Sequence, residues 1–89
     1  MDVTFDPTKD AANRAKHGLS LTLAGSLDWE SALVWTDIRS DYGETRQCAL
    51  ALLANRVHFV AFVDRSSARR IISLRKANER EVRRYAEND

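Results

Sequence analysis

Two adjacent cations, Arg75 and Lys76, are the residues whose position points most directly to chemistry. They follow the apolar run Ile71-Ile72-Ser73-Leu74 and precede Asn78, a residue typical of helix caps. A strand anchored by apolar side chains holds such cations in fixed positions, where they stabilise a phosphate that gains charge in a transition state. Because cations are disfavoured at a helix start, we expect a compensating anion, which is an RNA phosphate, a partner's carboxylate or Glu79.

RNA cleavage through the RNA's own 2′-hydroxyl is one chemistry that such cations serve. It requires a base, an acid and one or two positive charges. The candidate catalytic residues of suitable type are His17, Glu44, Arg46, Arg75 and Lys76. Their types leave open which group is the base and which the acid. His17 also fits a helix cap, and Glu44 with Arg46 also fits a surface ion pair.

Other basic and polar residues are candidates for binding RNA. They are Lys9, Asn13, Arg69, Arg70 and Arg80. Residues 1–54 carry five Lys/Arg and eight Asp/Glu, whereas residues 55–89 carry nine and five. This asymmetry predicts a basic face for nucleic acid or an acidic protein, unless the charges cancel in three dimensions.

The chain has two tryptophans, Trp29 and Trp35. For both we favour core packing or contact with a partner over stacking on bases.

Length and composition indicate one small domain, residues 1–89. The single cysteine, Cys48, excludes an intramolecular disulfide and a multi-cysteine zinc site, and it is expected in the core. His17 and His58 belong to different elements, so neither a metal nor another cofactor is expected. The chain shows no signal-like segment and no apolar stretch that would span a bilayer, which predicts a cytoplasmic protein without membrane contact.

The elements that must position these residues form an α+β pattern. A strand at Val3–Phe5 precedes a helix capped by Asp6-Pro7 and ended by His17-Gly18, in which Ala11, Ala12 and Ala15 offer a surface to a sheet. A second short helix is predicted at Ser20–Trp29. Alternating apolar residues then predict a four-stranded antiparallel meander, with strands at Ala32–Ile38, Arg46–Ala54, Val57–Val63 and Arg69–Leu74. Asn78 and Glu81 form a capping box for a last helix to Glu87, with Val82, Tyr85 and Ala86 facing inward.

Three separated motifs resemble those of the BrnT family of toxins from BrnT/BrnA type II toxin–antitoxin modules. They are Phe5-Asp6-Pro7-x-Lys9 with Asn13 and Lys16-His17-Gly18, then Asp41-Tyr42-Gly43-Glu44-x-Arg46, then Arg70-Ile71-Ile72-Ser73-Leu74-Arg75-Lys76-Ala77 with Glu81 and Tyr85. The resemblance runs from Phe5 to Tyr85 in the right order and spacing. Only the segment from Leu19 to Ala32 corresponds loosely.

The resemblance implies a RelE-like fold and metal-independent RNA cleavage that halts translation. It also implies neutralisation by a BrnA antitoxin, through whose DNA-binding domain the complex contacts DNA. On this basis Arg75 and Lys76 bind the scissile phosphate, Glu44 or His17 serves as base or acid, and Arg46 positions the carboxylate. Two alternatives stay open: an inactive homologue that binds its antitoxin as a co-repressor, and a small RNA-binding protein without catalysis.

Overall fold

A five-stranded mixed sheet forms the centre of the protein in the computed structural model, which describes residues 2–38 and 43–88. Its strands are β1 (Val3–Thr4), β2 (Leu33–Thr36), β3 (Gln47–Leu53), β4 (Arg56–Asp64) and β5 (Arg69–Lys76). The spatial order is β1-β5-β4-β3-β2, with antiparallel pairs from β2 to β5 and a parallel pair between β1 and β5. The α+β class is confirmed, and β1 widens the expected four-stranded sheet to five strands. Asp41 and Tyr42 of the second family motif lie outside the described residues.

The middle strand, β4, is buried on both of its faces. Val60 and Phe62 are fully buried on one face, in a core with Leu21 and Ile71. Val57 and Val63 alternate with them and are buried on the other face. The sheet therefore has two covered faces.

Different helices cover these two faces, so we name the faces after them. Helix α1 (Pro7–His17) and a 3-10 helix (Leu21–Ser26) cover the α1 face. Helix α2 (Glu79–Glu87) lies across β3 and β4 on the α2 face. Every site residue can then be assigned to a face by the alternation of its strand.

Helix α1 has the predicted bounds, because its end signals are local. The side chain of Asp6 accepts a hydrogen bond from the Thr8 N–H at 2.9 Å, and Pro7 occupies the first turn. At the other end Gly18 adopts φ 73° and its N–H donates to the Arg14 carbonyl. This left-handed conformation suits glycine and ends the helix directly after His17.

The surface that α1 buries is polar, contrary to the predicted alanine surface. Ala11, Ala12 and Ala15 are all exposed, whereas Asp10 and Asn13 are buried. The Asp10 carboxylate accepts from the Leu21 N–H at 2.7 Å and from the Ser20 hydroxyl at 3.1 Å. Hydrogen bonds to the following segment, rather than close apolar packing, set the orientation of α1.

The second helix is a 3-10 helix and is shorter than the predicted Ser20–Trp29. The Ser20 side chain caps its start, and the Leu27 N–H donates to the Ala24 carbonyl in the i→i+3 pattern. The Trp29 indole N–H bonds the same carbonyl at 3.0 Å. The Ala24 carbonyl thus accepts hydrogen bonds from the Leu27 N–H and the Trp29 indole, and the 3-10 helix ends at Ser26.

Helix α2 has the predicted capping box and ends at Glu87, but its predicted inward residues were wrong. Val82 is 42% exposed and Ala86 is exposed, while Tyr85 is half-buried. No residue of α2 is buried. Two long polar side chains of α2 contact the sheet, since Glu81 pairs with Arg75 of β5 and the Arg84 guanidinium lies over the Trp35 ring of β2.

Candidate active site

The two cations at the end of β5 lie on opposite faces of the sheet. Arg75 pairs with Phe59, and Lys76 pairs with His58, on adjacent positions of the β4–β5 ladder. Because successive strand residues alternate, Arg75 lies on the α2 face and Lys76 on the α1 face. A phosphate at this end of β5 therefore meets the two charges from different sides.

Arg75 is held by three sets of contacts. Its Nη1 and Nη2 donate to the two carboxylate oxygens of Glu81 at 2.8 and 3.0 Å, and Nη1 also donates to the Lys76 carbonyl at 3.3 Å. The guanidinium carbon lies 4.3 Å from the centre of the Phe59 ring. The anion that pairs with Arg75 in this structure is thus Glu81, which was not among the three expected anions, an RNA phosphate, a partner's carboxylate or Glu79.

This pairing leaves one edge of the Arg75 guanidinium available. The Nε–H and the second Nη2–H have no partner among residues 2–38 and 43–88. These two donors point along one edge and form a fork that matches two oxygens of a phosphate. Arg75 is half-buried, with 32% of its side chain exposed. It is therefore a fixed arginine with a free binding edge.

Glu81 stays ionised beside Arg75. Its hydrogen bonds from the Arg75 guanidinium lower the pKa of the Glu81 carboxyl, the Asn78 N–H lowers it further, and burial opposes them. Glu81 also completes the capping box, since it accepts from the Asn78 N–H at 3.0 Å while Asn78 accepts from the Glu81 N–H at 2.9 Å. The start of α2 thereby fixes the carboxylate that orients Arg75.

His17 is a neutral imidazole at pH 7. Partial burial lowers its pKa from the usual 6.5, and the positive charges of Lys16 and Arg75 lower it further. It opens onto a cleft of about 190 Å³ between α1 and β5. The cleft is lined by Lys9, Ala12, Asn13, Lys16, His17, Ile72 and Ser73. A neutral imidazole beside lysines suits a proton acceptor in a site that binds anions.

Asn13 was predicted to bind RNA, but it links α1 to β5. Its side-chain amide donates to the carbonyls of Leu74 and Leu19 at 2.8 and 2.9 Å, and its oxygen accepts from the Leu74 N–H at 3.1 Å. The residue is 5% exposed. Both of its N–H donors are used within the protein, so the structure assigns it a structural role.

Glu44 and Arg46 lie toward the opposite end of the sheet from Arg75. Glu44 is exposed and pairs with Arg65 at 3.0 Å, in the turn that follows β4. Phe59, the partner of Arg75, is six positions earlier in the chain than Arg65, which corresponds to about 20 Å along a strand. Arg46 directly precedes β3, and its carbonyl accepts from the Asp37 N–H. The structure brings neither residue to His17.

Arg69 also has structural partners. It donates from Nε and Nη2 to the Asp64 carboxylate at 2.6 and 3.0 Å. Its guanidinium carbon lies 4.6 Å from the centre of the Trp29 ring and 4.2 Å from that of Phe62. Only 18% of the side chain is exposed. These contacts explain Arg69 without RNA.

The remaining predicted RNA contacts differ in exposure. Lys9 and Arg80 are exposed, on α1 and at the start of α2 respectively. Arg70 is half-buried on β5, where it pairs with Val63 of β4 and Thr4 of β1. As RNA contacts, these three residues stay predictions.

Sequence reasoning missed two residues of the candidate site. The first is Glu81, whose pairing with Arg75 was not predicted, and the second is Phe59. Glu81 was recognised as a helix cap, and its spacing from Arg75 across the strand–helix junction was the available signal. Phe59 could be found only from the β4–β5 register, which no local sequence pattern provides.

Among residues 2–38 and 43–88, His, Cys, Asp and Glu form no metal-binding group of three or more. None of the helices in this part of the chain is long and apolar enough to cross a membrane.

Comparison with known proteins identifies the family. The family model described as the ribonuclease toxin BrnT of a type II toxin–antitoxin system matches residues 5–81. No curated protein matches the chain. The matched region contains His17, Arg75 and Glu81 and covers well over half of the sequence. The chain therefore belongs to the BrnT family of ribonuclease toxins of type II toxin–antitoxin systems.

Proposed function

We propose that this chain is a metal-independent endoribonuclease toxin whose active site lies at the end of β5, between His17 and Arg75. The carrying observation is that His17 lines the cleft between α1 and β5, and that Arg75 at the end of β5 keeps its Nε edge without a partner among the described residues. The first group supplies a base and the second a fixed positive charge.

In the proposed reaction, His17 takes the proton of the 2′-hydroxyl, and the resulting oxygen attacks the adjacent phosphorus. Arg75 binds two phosphate oxygens through Nε and Nη2 and offsets the charge that develops on them. Lys76 adds positive charge from the α1 face. The bond from phosphorus to the 5′-oxygen breaks, and that oxygen takes up a proton. The products carry a 2′,3′-cyclic phosphate and a 5′-hydroxyl.

His17 is a better candidate for the base than Glu44. Burial and the charges of Lys16 and Arg75 lower the pKa of His17, which favours its unprotonated form at neutral pH. Glu44 instead pairs with Arg65 at the far end of the β4–β5 hairpin. A general base must lie within hydrogen-bond reach of its proton, and His17 lines a cleft against Ile72 and Ser73 of β5, the strand that carries Arg75.

The proposed partner follows from the family, whose members are the toxins of type II toxin–antitoxin systems. We infer that a BrnA-like antitoxin with a DNA-binding domain covers this site, and that the complex contacts DNA only through the antitoxin. We also infer that the fold is a RelE-like scaffold and that the protein acts in the cytoplasm, where translated RNA is found.

The test is cleavage of a labelled RNA by the purified protein in EDTA. We expect fragments with 2′,3′-cyclic phosphate ends, and no cleavage where a single 2′-deoxy nucleotide replaces the target nucleotide. Cleavage that EDTA abolishes and magnesium restores would contradict the metal-independent mechanism. A folded protein that binds its antitoxin but cuts no RNA would instead identify an inactive co-repressor.

A further inference from the structure

We propose that the α2 face carries a nucleobase subsite, in which Trp35, Phe59 and Arg75 bind one unpaired base next to the scissile phosphate. This inference rests on the proposed ribonuclease function and deepens it, because it assigns a second contact to the same RNA strand. Its ligand class is the planar base of a single-stranded nucleotide.

An open cleft lies where this base would bind. It has a volume of about 300 Å³ and is lined by Trp35, Cys48, Phe59, Arg75 and Glu81. This volume is at the lower end of the range for small-molecule sites, about 300–1,000 Å³. The centres of the Trp35 and Phe59 rings are 6.1 Å apart, and the rings are tilted by 55°. The two rings are tilted rather than stacked face to face, and both line the wall of the cleft.

Two guanidinium groups extend these aromatic surfaces. Arg75 lies 4.3 Å above the Phe59 ring, and Arg84 of α2 lies 4.2 Å above the Trp35 ring. Bases stack on arginine planes as well as on aromatic rings. The cleft therefore offers several planar surfaces and positive charge together, a combination that suits a base attached to a phosphate.

Arg75 connects this cleft to the proposed reaction. The same guanidinium forms part of the cleft wall and presents its free edge to the scissile phosphate. Glu81 is also in the wall, and its Oε2 accepts a hydrogen bond only from Arg75 among the described residues. That oxygen can accept a second hydrogen bond from an N–H group on the edge of a base.

The two tryptophans differ in a way that separates this role from core packing. Trp29 lies on the α1 face, and its indole N–H donates to the Ala24 carbonyl. Its ring meets the Phe62 ring edge-on, with the two ring centres 5.2 Å apart. The Trp35 indole N–H has no hydrogen-bond partner in the described part of the chain, and the Arg84 guanidinium of α2 lies over the ring. Trp29 is thus explained by the fold, whereas Trp35 is available to a ligand.

The test uses fully 2′-O-methylated oligouridylate, which lacks the attacking hydroxyl and binds without being cut. An abasic 2′-O-methyl strand of equal length and charge is the control ligand. We expect the base-containing strand to bind about 5- to 150-fold more tightly, as one stacked base contributes. It should also quench intrinsic fluorescence, and this quenching should be lost in Trp35→Phe and kept in Trp29→Phe. Equal affinity of the two strands for the wild-type protein would overturn the subsite.

Two further results separate the subsite from the proposed function. In Trp35→Ala the preference for the base-containing strand should disappear, and an unchanged preference would overturn the assignment to Trp35. Cleavage of ordinary RNA by the wild-type protein is measured in parallel. Cleavage without any base preference refutes the subsite alone, whereas base preference without cleavage supports the subsite and refutes the ribonuclease proposal.

Discussion

Arg69 and Arg75 stand at opposite ends of β5 and have similar contacts, yet they use different edges for the ion pair and differ in exposure. Each donates two hydrogen bonds to one carboxylate and lies on aromatic rings. Arg69 uses Nε and Nη2 for Asp64 and has two rings beside it. Arg75 uses Nη1 and Nη2 for Glu81, has one ring beneath it, and keeps its Nε edge free among the described residues. The unpartnered Nε edge and the larger exposed fraction, 32% against 18%, make Arg75 the better candidate for binding a phosphate.

Arg75→Ala provides the largest expected effect. We predict that cleavage per folded molecule falls about 100- to 1,000-fold, because one fixed donor to the developing phosphate charge is lost. Arg75→Lys should lose most of the activity too, since an ammonium cannot replace the fork. Single-turnover rates, corrected for the folded fraction by circular dichroism, measure the loss. An Arg75→Ala rate equal to that of the wild type would contradict the assignment.

Arg69→Ala should show the opposite pattern. We expect a loss of about 2 kcal/mol in the free energy of unfolding, because Trp29 and Phe62 lose a cation–π partner and Asp64 loses its ion pair. The rate of cleavage per folded molecule should stay close to that of the wild type. Denaturant unfolding with the same cleavage assay measures both. A stable Arg69→Ala protein that no longer cuts RNA would contradict the proposal that the active site lies at the Arg75 end of β5.

Glu81→Gln tests whether the partner orients Arg75. We expect a rate about 10-fold lower, because the amide keeps the size of the side chain but holds the guanidinium less firmly. Folding lowers the pKa of Glu81, so its stabilisation is complete above the usual value of 4.5 and is lost as the pH falls through the lowered pKa. Thermal midpoints against pH should show this step in the wild type only. Identical pH profiles would contradict the role of the ion pair.

Glu44→Ala should have the smallest effect. The pair with Arg65 is exposed on both sides, so its loss should cost less than about 1 kcal/mol, and cleavage should change by less than about 2-fold. The same two assays measure both quantities. A Glu44→Ala protein that folds normally but loses cleavage would restore this carboxylate as a candidate base.

Local sequence signals predicted the helix ends well. Asp6-Pro7, Gly18 and the Asn78–Glu81 box act within a few residues, and α1 and α2 have the predicted bounds. Distant partners could not be predicted in this way. Asn13 is buried because it bonds Leu74 at a separation of 61 residues, and no helical pattern records that contact.

The candidate site could be predicted only in part. Residue types indicate the chemistry, but they do not specify which strand positions pair with each other. The end of β5 was selected by its cations, and His17 by its place in the first family motif, since its position at a helix end alone favoured a cap. Strand alternation then placed Arg75 and Lys76 on different faces. The hairpin register placed Glu44 at the far end of β4 and β5. Both facts depend on pairing between strands, which the residue types do not specify.

The pH dependence of RNA cleavage by the wild type and by His17→Gln tests the proposed site most directly. With His17 as base, the single-turnover rate in EDTA should rise with pH through a pKa below 6.5 and level off near neutrality. The variant should fold, lose about 100- to 10,000-fold in rate and lack this rise. A folded His17→Gln protein that cleaves at the wild-type rate with the same pH profile would contradict an active site between His17 and Arg75.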